Sequence, residues 1–279
     1  MSQTVGRRRT FAAAALVIAP AVLAGCTTGS GSQPQAAGTA GNPPAATASS
    51  STSTSPPTSP PSTSSPSPSA TPSPHVTPAV VGKLRAGDKG TAVRELQEQL
   101  SALGYWLGKP DGHFGDLTQQ AVYALQKAAG LPRDGVVGPK TRAALAAGKR
   151  PTITTTGSGH RMEINKKTQL LLIIDGSKIT TILNTSTGSG RTFVEKGNTE
   201  VAVTPSGNFH IQRVIDGNRI GPLGALWRPR YFNGGIAIHG IASVPPYPAS
   251  HGCARLSFGA INWIWSTNQA PIGMSIKVV

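Results

Sequence analysis

Near the C-terminal end stand one cysteine and two histidines: His239 in Ile238-His239-Gly240, and the run Ser250-His251-Gly252-Cys253-Ala254-Arg255. A cysteine with a histidine in reach is what thiolate chemistry requires, the imidazole taking the thiol proton and later returning it to a leaving group. Three assignments fit the residue types. Cys253 is a buried side chain without a chemical role; or it joins His239 and His251 as three zinc ligands around an open position; or it is the nucleophile of an acyl transfer. The first leaves Ser250-His251-Gly252 unexplained. The second lacks a general base, because the 63 residues after Asp216 contain no Asp or Glu. That stretch does contain Arg219, Arg228, Arg230, Arg255 and Lys277, and an electropositive surrounding is expected to lower the thiol pKa. With no carboxylate following, a backbone carbonyl, that of Gly240 being adjacent, is expected to hold the His239 tautomer.

These residues need rigid elements to position them. Gln169-Leu170-Leu171-Leu172-Ile173-Ile174 ends at Asp175-Gly176 and is followed by Lys178 to Leu183, which predicts a β-hairpin. Thr204-Pro205-Ser206-Gly207 turns into another strand, and Gly235 to Gly240 reads as a buried strand ending at the histidine. Ile261 to Trp265 reads as a short helix in a mainly β region of about 120 residues. Upstream the period changes. Val93, Leu96, Leu100 and Leu103 form one helical stripe that stops at Gly104. Asp111-Gly112-His113-Phe114-Gly115-Asp116-Leu117-Thr118 then recurs 23 residues later as Asp134-Gly135-Val136-Val137-Gly138-Pro139-Lys140-Thr141, each copy leading into an Ala/Leu-rich helix. Gly138 suits the N-cap and Pro139 the first helical position, so three short helices are expected.

The helical part resembles the type 1 peptidoglycan-binding domain. The shared pattern is Gly87-x-x-Gly90-x-x-Val93-x-x-Leu96-Gln97, Leu103-Gly104-Tyr105, Asp111-Gly112-x-Phe114-Gly115-x-x-Thr118, Ala121-Val122, Leu125-Gln126 and Asp134-Gly135-x-Val137-Gly138-x-x-Thr141. Most of these residues are expected to be structural. Tyr105, Trp106, Asp111 and Phe114 are the candidates for wall contact, and His113 reads as a solvated turn histidine.

The β part resembles the YkuD-like catalytic domain of L,D-transpeptidases, through Gln169-Leu170-Leu171-Leu172, Ser186-Thr187-Gly188, Thr204-Pro205-x-Gly207-x-Phe209, Ile238-His239-Gly240 and Ser250 to Arg255. The resemblance implies a β-sandwich-like fold and cross-linking of peptidoglycan stem peptides between third-position residues, with no cofactor or metal and with carbapenems as covalent inhibitors. It implies Cys253 as nucleophile and His239 as general base and acid. Ser250, His251, Gly252, Arg255 and Gly240 are implied around substrate and oxyanion, with backbone N–H groups near Gly252 and Cys253 holding the latter. Arg255 stands where some members carry Asn, and is expected to pair with a substrate carboxylate or to close the turn. The ten residues between His239 and Ser250 are fewer than in many members and include the stiff run Pro245-Pro246-Tyr247-Pro248. Two other outcomes fit the same residues: an L,D-carboxypeptidase, if water replaces the amine, or a non-catalytic wall-binding lipoprotein.

The N-terminal residues predict where this chemistry takes place. Arg7, Arg8 and Arg9 precede the apolar run Phe11 to Ala24, the layout of an export signal. Leu23-Ala24-Gly25-Cys26 resembles a lipobox, which implies that residues 1–25 are a lipoprotein signal and that Cys26 is lipidated. From Thr27 to Gly82 there is no Lys, Arg, Asp or Glu, and 12 of the 24 prolines fall here. Such a segment cannot bury a core and acts as a spacer, with a coil span of roughly 40 Å. The organisation expected is therefore signal (1–25), lipidated cysteine and linker (26–82), peptidoglycan-binding domain (83–148), linker (149–159) and catalytic domain (160–279). The protein is expected on the outer face of the cytoplasmic membrane, reaching into the wall. With only two cysteines, a disulfide framework is excluded. The net charge of +15 in an exported protein points to anionic wall polymers or lipid headgroups, and no nucleic-acid motif accompanies it.

Overall fold

The computed structural model describes residues 82–279. The expected signal, Cys26 and nearly all of the Ser/Thr/Pro-rich segment lie outside the described residues.

Three helices come first: α1 (Thr91–Ala102), α2 (Asp116–Ala128) and α3 (Pro139–Ala146). Val93, Leu96 and Leu100 form the buried face of α1, and Pro139 opens α3 behind Gly138. The internal repeat is a copied polar device. Buried Gln97 of α1 places Nε2 2.8 to 2.9 Å from the Asp111 carboxylate, the His113 carbonyl and the Thr118 hydroxyl, while its Oε1 accepts from the Asp111 and Gly112 N–H groups. Buried Gln126 of α2 does the same for Asp134, Val136, Thr141 and the Gly135 N–H. Each glutamine satisfies the backbone of one Asp-Gly turn, so two tight turns fold without leaving buried polar groups unpaired.

The strands are β1 (His160–Asn165), β2 (Leu170–Asp175), β3 (Lys178–Asn184), β4 (Thr192–Glu195), β5 (Asn198–Val201), β6 (Gly207–His210), β7 (Arg213–Val214), β8 (Asn218–Gly221), β9 (Gly224–Asn233), β10 (Ile236–Ile241), β11 (Ala254–Ser257) and β12 (Ser275–Val278), with α4 (Phe258–Ser266) between the last two. One sheet runs β3-β2-β1-β12-β6, in which only β1 and β12 are parallel. The other runs β11-β10-β9-β7, with β8 also on β9, and its β10 and β11 are parallel. A separate hairpin pairs β4 with β5. Met162, Ile164, Leu171 and Ile173 of the first sheet share a core with Phe232, Ile238, Leu256 and Ile261. That is the sandwich expected from the resemblance.

The unbroken Leu/Ile run of β2 has a reason the hairpin pattern did not reveal. Leu171 and Ile173 face the sandwich core, whereas Leu170, Leu172 and Ile174 join a second core with Leu100, Tyr105, Val122 and Leu125 of the helical part. The strand is buried on both faces, so it does not alternate with polar residues. Trp106 N–H donates to the Ile182 carbonyl at 3.1 Å and Ile182 N–H to that of Gly104 at 2.8 Å, joining the chain after α1 to the edge of β3. The stretch 149–159, expected as a linker, is tied down: Arg150 donates to the Ile179 carbonyl and Thr154 to the Glu163 carboxylate. No helix among the described residues is long and apolar enough to cross a membrane.

Candidate active site

His239 lies within β10, where the pairing with β9 shifts register between Ile238 and Gly240; such an irregularity re-aims the side chain at its position. Parallel β11 sets His239 opposite Arg255, with Cys253 just ahead of the strand. Cys253 Sγ accepts from the Ala237 N–H at 3.4 Å, so the thiol is pinned to the strand that carries the histidine. His239 is 5% exposed. Its Nδ1 lies 3.1 Å from the Gly240 carbonyl, the partner anticipated for a histidine with no carboxylate. Nδ1–H donates there, which leaves the Nε2 lone pair for a proton.

The electrostatics correct one expectation. Burial pushes the Cys253 thiol above its ordinary value, and the opposing pull of the Ala237 N–H and of Arg255 is smaller. Burial also pushes His239 down to about 4, against the Gly240 hydrogen bond and together with the Arg255 charge. The resting pair is therefore a neutral thiol and a neutral imidazole, not the preformed thiolate that the arginine-rich sequence suggested. Taking a charge out of water costs more here than the nearby cation returns.

Ser250 and Gly252 build the loop that presents the thiol. Ser250 Oγ donates to the Cys253 carbonyl at 2.6 Å and accepts the Gly252 N–H at 3.0 Å. Thr204 Oγ1 accepts the Gly188 N–H and donates to the Gly252 carbonyl. Gly252 has φ +148°, and a Cβ there would lie 3.1 Å from the Val203 carbonyl oxygen, so only glycine fits. The Gly252 N–H is therefore already committed and is no oxyanion donor in this arrangement; the Cys253 N–H has no acceptor among the described residues. Gly240 also differs from its expected place. A Cβ on it would lie 2.5 Å from Ile261 Cγ2, so it permits α4 to pack on β10 while its carbonyl orients His239. Arg255 closes the turn through Nη1 to the Ala249 carbonyl at 3.0 Å and also borders the cavity.

His239, Ser250, His251, Gly252, Cys253 and Arg255 line one cavity of about 420 Å³. Its other walls come from residues that no motif indicated: Phe193 and Glu195 of β4, Arg213 and Tyr231, and Arg219 and Leu223 on the β8–β9 hairpin. Phe193 meets the His251 ring edge-on at 4.7 Å, and the Arg213 guanidinium sits 4.1 Å over Tyr231. Glu195 is the one carboxylate in this lining, against three guanidinium groups. The only sequence trace of the β4 wall is the alternation of Phe193 and Glu195 before the Lys196-Gly197 turn. The zinc alternative has no support in the geometry, since no group of three His, Cys, Asp or Glu that could hold a metal occurs among the described residues.

Two of the four wall-contact candidates are placed otherwise than expected. Tyr105 and Phe114 are 1% and 2% exposed, the Tyr105 hydroxyl donating to the Lys149 carbonyl. Buried rings have no surface to offer a polymer. Trp106 packs on Trp263 at 5.4 Å, and one oxygen of the exposed Asp111 carboxylate, Oδ1, accepts from Gln97 and the His113 N–H. What the helical part does present is an open groove of about 720 Å³ beside the second repeat, edged by Lys83, Arg85, Asp88, Asp134 and Lys140.

Residues 89–145 match PG_binding_1, the peptidoglycan binding domain, and residues 159–278 match YkuD, the L,D-transpeptidase catalytic domain. The crystal structure of an L,D-transpeptidase from Xylanimonas cellulosilytica is 46% identical, with TM-score 0.69, and covers 72% of this chain and 100% of its own. A probable N-acetylmuramoyl-L-alanine amidase of Bacillus licheniformis is 46% identical over 79 residues, 25% of this chain and 22% of the amidase. The amidase CwlL of the same species is 48% identical over 66 residues, 23% and 18% of the two chains. The chain thus spans about a fifth of the length of these curated relatives, but it matches the Xylanimonas structure from end to end. With Cys253 and His239 bordering one cavity, and with a peptidoglycan-binding domain preceding them in the chain, the chain belongs to the L,D-transpeptidase family.

Proposed function

We propose that the protein cross-links peptidoglycan stem peptides by cysteine acyl transfer. The observation that carries this is the pairing of Cys253 with His239 in one cavity, the imidazole oriented by the Gly240 carbonyl. His239 Nε2 takes the Cys253 proton as sulfur attacks the carbonyl of the third stem residue. The bond to the terminal D-alanine breaks, the imidazole proton goes to the departing amine, and a thioester remains. The Cys253 N–H stabilises the oxyanion. An acceptor amine then attacks the thioester, its proton passes through His239 back to sulfur, and the new amide leaves. Arg213, Arg219 and Arg255 suit the carboxylates of a stem peptide. Glu195 suits a cationic acceptor, which favours transfer to an amine over hydrolysis.

Carbapenems acylate the same thiol. The charged groove at Lys83, Arg85 and Lys140 is the wall contact, in place of the aromatic residues singled out from sequence. Cys26 carries a lipid after export, so both domains work from the membrane surface. Intact-mass spectrometry of the protein with a tetrapeptide stem tests the central claim: a thioester adduct on Cys253, with D-alanine released, is expected. An unmodified mass after prolonged incubation with both the stem and a carbapenem would overturn it.

A further inference from the structure

The loop between His239 and Cys253 has a supply problem. Residues 242–249 form no strand, and Pro245, Pro246 and Pro248 have no N–H to give. The loop must therefore be held by donors that reach its carbonyls. The Tyr247 carbonyl accepts from Ser186 Oγ at 2.8 Å and that of Ala249 from Arg255. The two others with partners are served from the peptidoglycan-binding domain: Gln120 Nε2 donates to the Val244 carbonyl at 3.3 Å, and Arg133 Nη1 to the Pro246 carbonyl at 3.0 Å.

A second route runs through the buried amine of Lys127, at the end of α2. Its Nζ contacts the Gln169 carbonyl at 2.9 Å, the Thr185 carbonyl at 3.0 Å and the Asn184 side-chain oxygen. Asn184 in turn donates to Gln120 at 2.5 Å. Gln169 is held at φ +62°, a conformation that a residue with a side chain keeps only when its surroundings fix it. From that position its side-chain amide grips Thr187 twice, accepting the Thr187 N–H at 2.9 Å and donating to Oγ1 at 2.7 Å. The Thr187 carbonyl then accepts the Ala249 and Ser250 N–H groups at 3.0 and 2.9 Å, and the Ser250 hydroxyl holds the Cys253 carbonyl. A residue-to-residue run of hydrogen bonds joins α2 to the backbone of Cys253.

We infer that the peptidoglycan-binding domain is part of the catalytic apparatus, with Lys127, Gln120 and Arg133 acting as positioning residues that set the loop carrying Cys253. This rests on the proposed cysteine chemistry. The alternative is that the same contacts only glue two domains together. The two differ in what a mild variant does: glue changes stability, positioning changes the rate of acylation.

The test uses the full chain with Gln120→Ala and Arg133→Ala combined, with Arg133→Lys alone, and with Lys127→Met. Cys253 acylation by a tetrapeptide stem and by a carbapenem is followed by time-resolved intact mass, alongside thermal unfolding. The double variant is expected to unfold within a few degrees of wild type, to keep its half-saturating stem concentration, and to acylate about tenfold or more slowly, since small misplacements of reacting groups cost rate steeply. Arg133→Lys should recover most of the rate. If Lys127→Met does not fold, the double variant decides alone. A folded double variant acylating at the wild-type rate overturns the inference, and so does a rate loss fully accounted for by unfolded protein. Failure of the wild type to acylate would instead count against the cysteine chemistry itself.

Discussion

The junction between α2 and the sheet and the cavity at β10 and β11 both bury polar side chains, and they treat them in opposite ways. At the junction the Lys127 amine is 4% exposed and meets three acceptors. In the cavity His239 is 5% exposed and uses one ring nitrogen on Gly240, while the Cys253 thiol has one weak donor at 3.4 Å. Burial with full hydrogen bonding makes a rigid joint. Burial with one ring nitrogen free of any protein partner among the described residues leaves a lone pair able to take a proton.

The strongest way to break that contrast is to remove the two groups of the cavity. Cys253→Ser should abolish turnover and acylation, and His239→Ala should lower the acylation rate by about 10² to 10⁴, both without change in the circular dichroism spectrum. A wild-type rate in either would place the reactive group elsewhere. Acidity probes the same pair next. Because burial holds His239 near 4, the imidazole is neutral and able to accept a proton at any higher pH, so the acylation rate should fall on the acid side only as pH approaches about 4. Alkylation of Cys253 by iodoacetamide should have its midpoint above the ordinary thiol range, since the thiol is raised. A plateau reached already at pH 6 would restore the thiolate expected from sequence.

At the junction Lys127→Met is expected to lower stability as well as to slow acylation. Lys127→Met strands the acceptors that the amine serves and should cost about 1 to 3 kcal/mol, read from denaturant unfolding near pH 10.5, where loss of the lysine proton no longer weighs on the wild type. The lysine also leaves a signature in pH. Burial and then the Arg133 charge bring it from 10.5 down to about 6, so between those values the unfolded chain binds a proton that the folded one does not. Wild-type stability should therefore rise from about pH 6 toward 10.5, and that slope should be missing in Lys127→Met. Identical slopes would mean that the amine stays charged in its site. The smallest effect is expected from Glu195→Gln, which keeps the shape of the cavity wall. It should slow attack by an amine acceptor less than about tenfold and leave formation of the acyl-enzyme unchanged, as measured by separating the two half-reactions.

Much of this was legible in the residues. The stripe ending at Gly104, the Asp-Gly repeat and the hairpin at Asp175-Gly176 all stand where their patterns put them, because each is set by local turn chemistry and period, and the strand expected to end at His239 runs two residues beyond it to Ile241. The Gly240 partner followed from a shortage, the missing carboxylates. The aromatic wall candidates failed for a physical reason: in so small a helical domain Tyr105 and Phe114 are too valuable as core to be left outside. The sign of the Cys253 shift was hidden because charge is countable in a sequence and desolvation is not. Phe193, Glu195 and Tyr231 were invisible as site residues, since hairpins distant in the chain bring them to the thiol. Gln97, Gln126 and Lys127 carry no catalytic motif, and only their burial shows what they hold.

The position of β12 has a consequence for how the protein is made. It lies between β1 and β6, pairing in parallel with one and antiparallel with the other, with Ile276 and Val278 almost wholly buried. Residue 279 extends the join, its N–H donating to the Ile164 carbonyl and its carbonyl accepting from Lys166. A ribosome delivers β1 early and β12 more than a hundred residues later, so two strand edges stand open through nearly the whole synthesis of the domain. The sandwich cannot close piecemeal as it emerges; it waits for its keystone and then closes in one slow, long-range step. Losing β12 alone would leave a half-built sheet with two open edges rather than a slightly shorter enzyme.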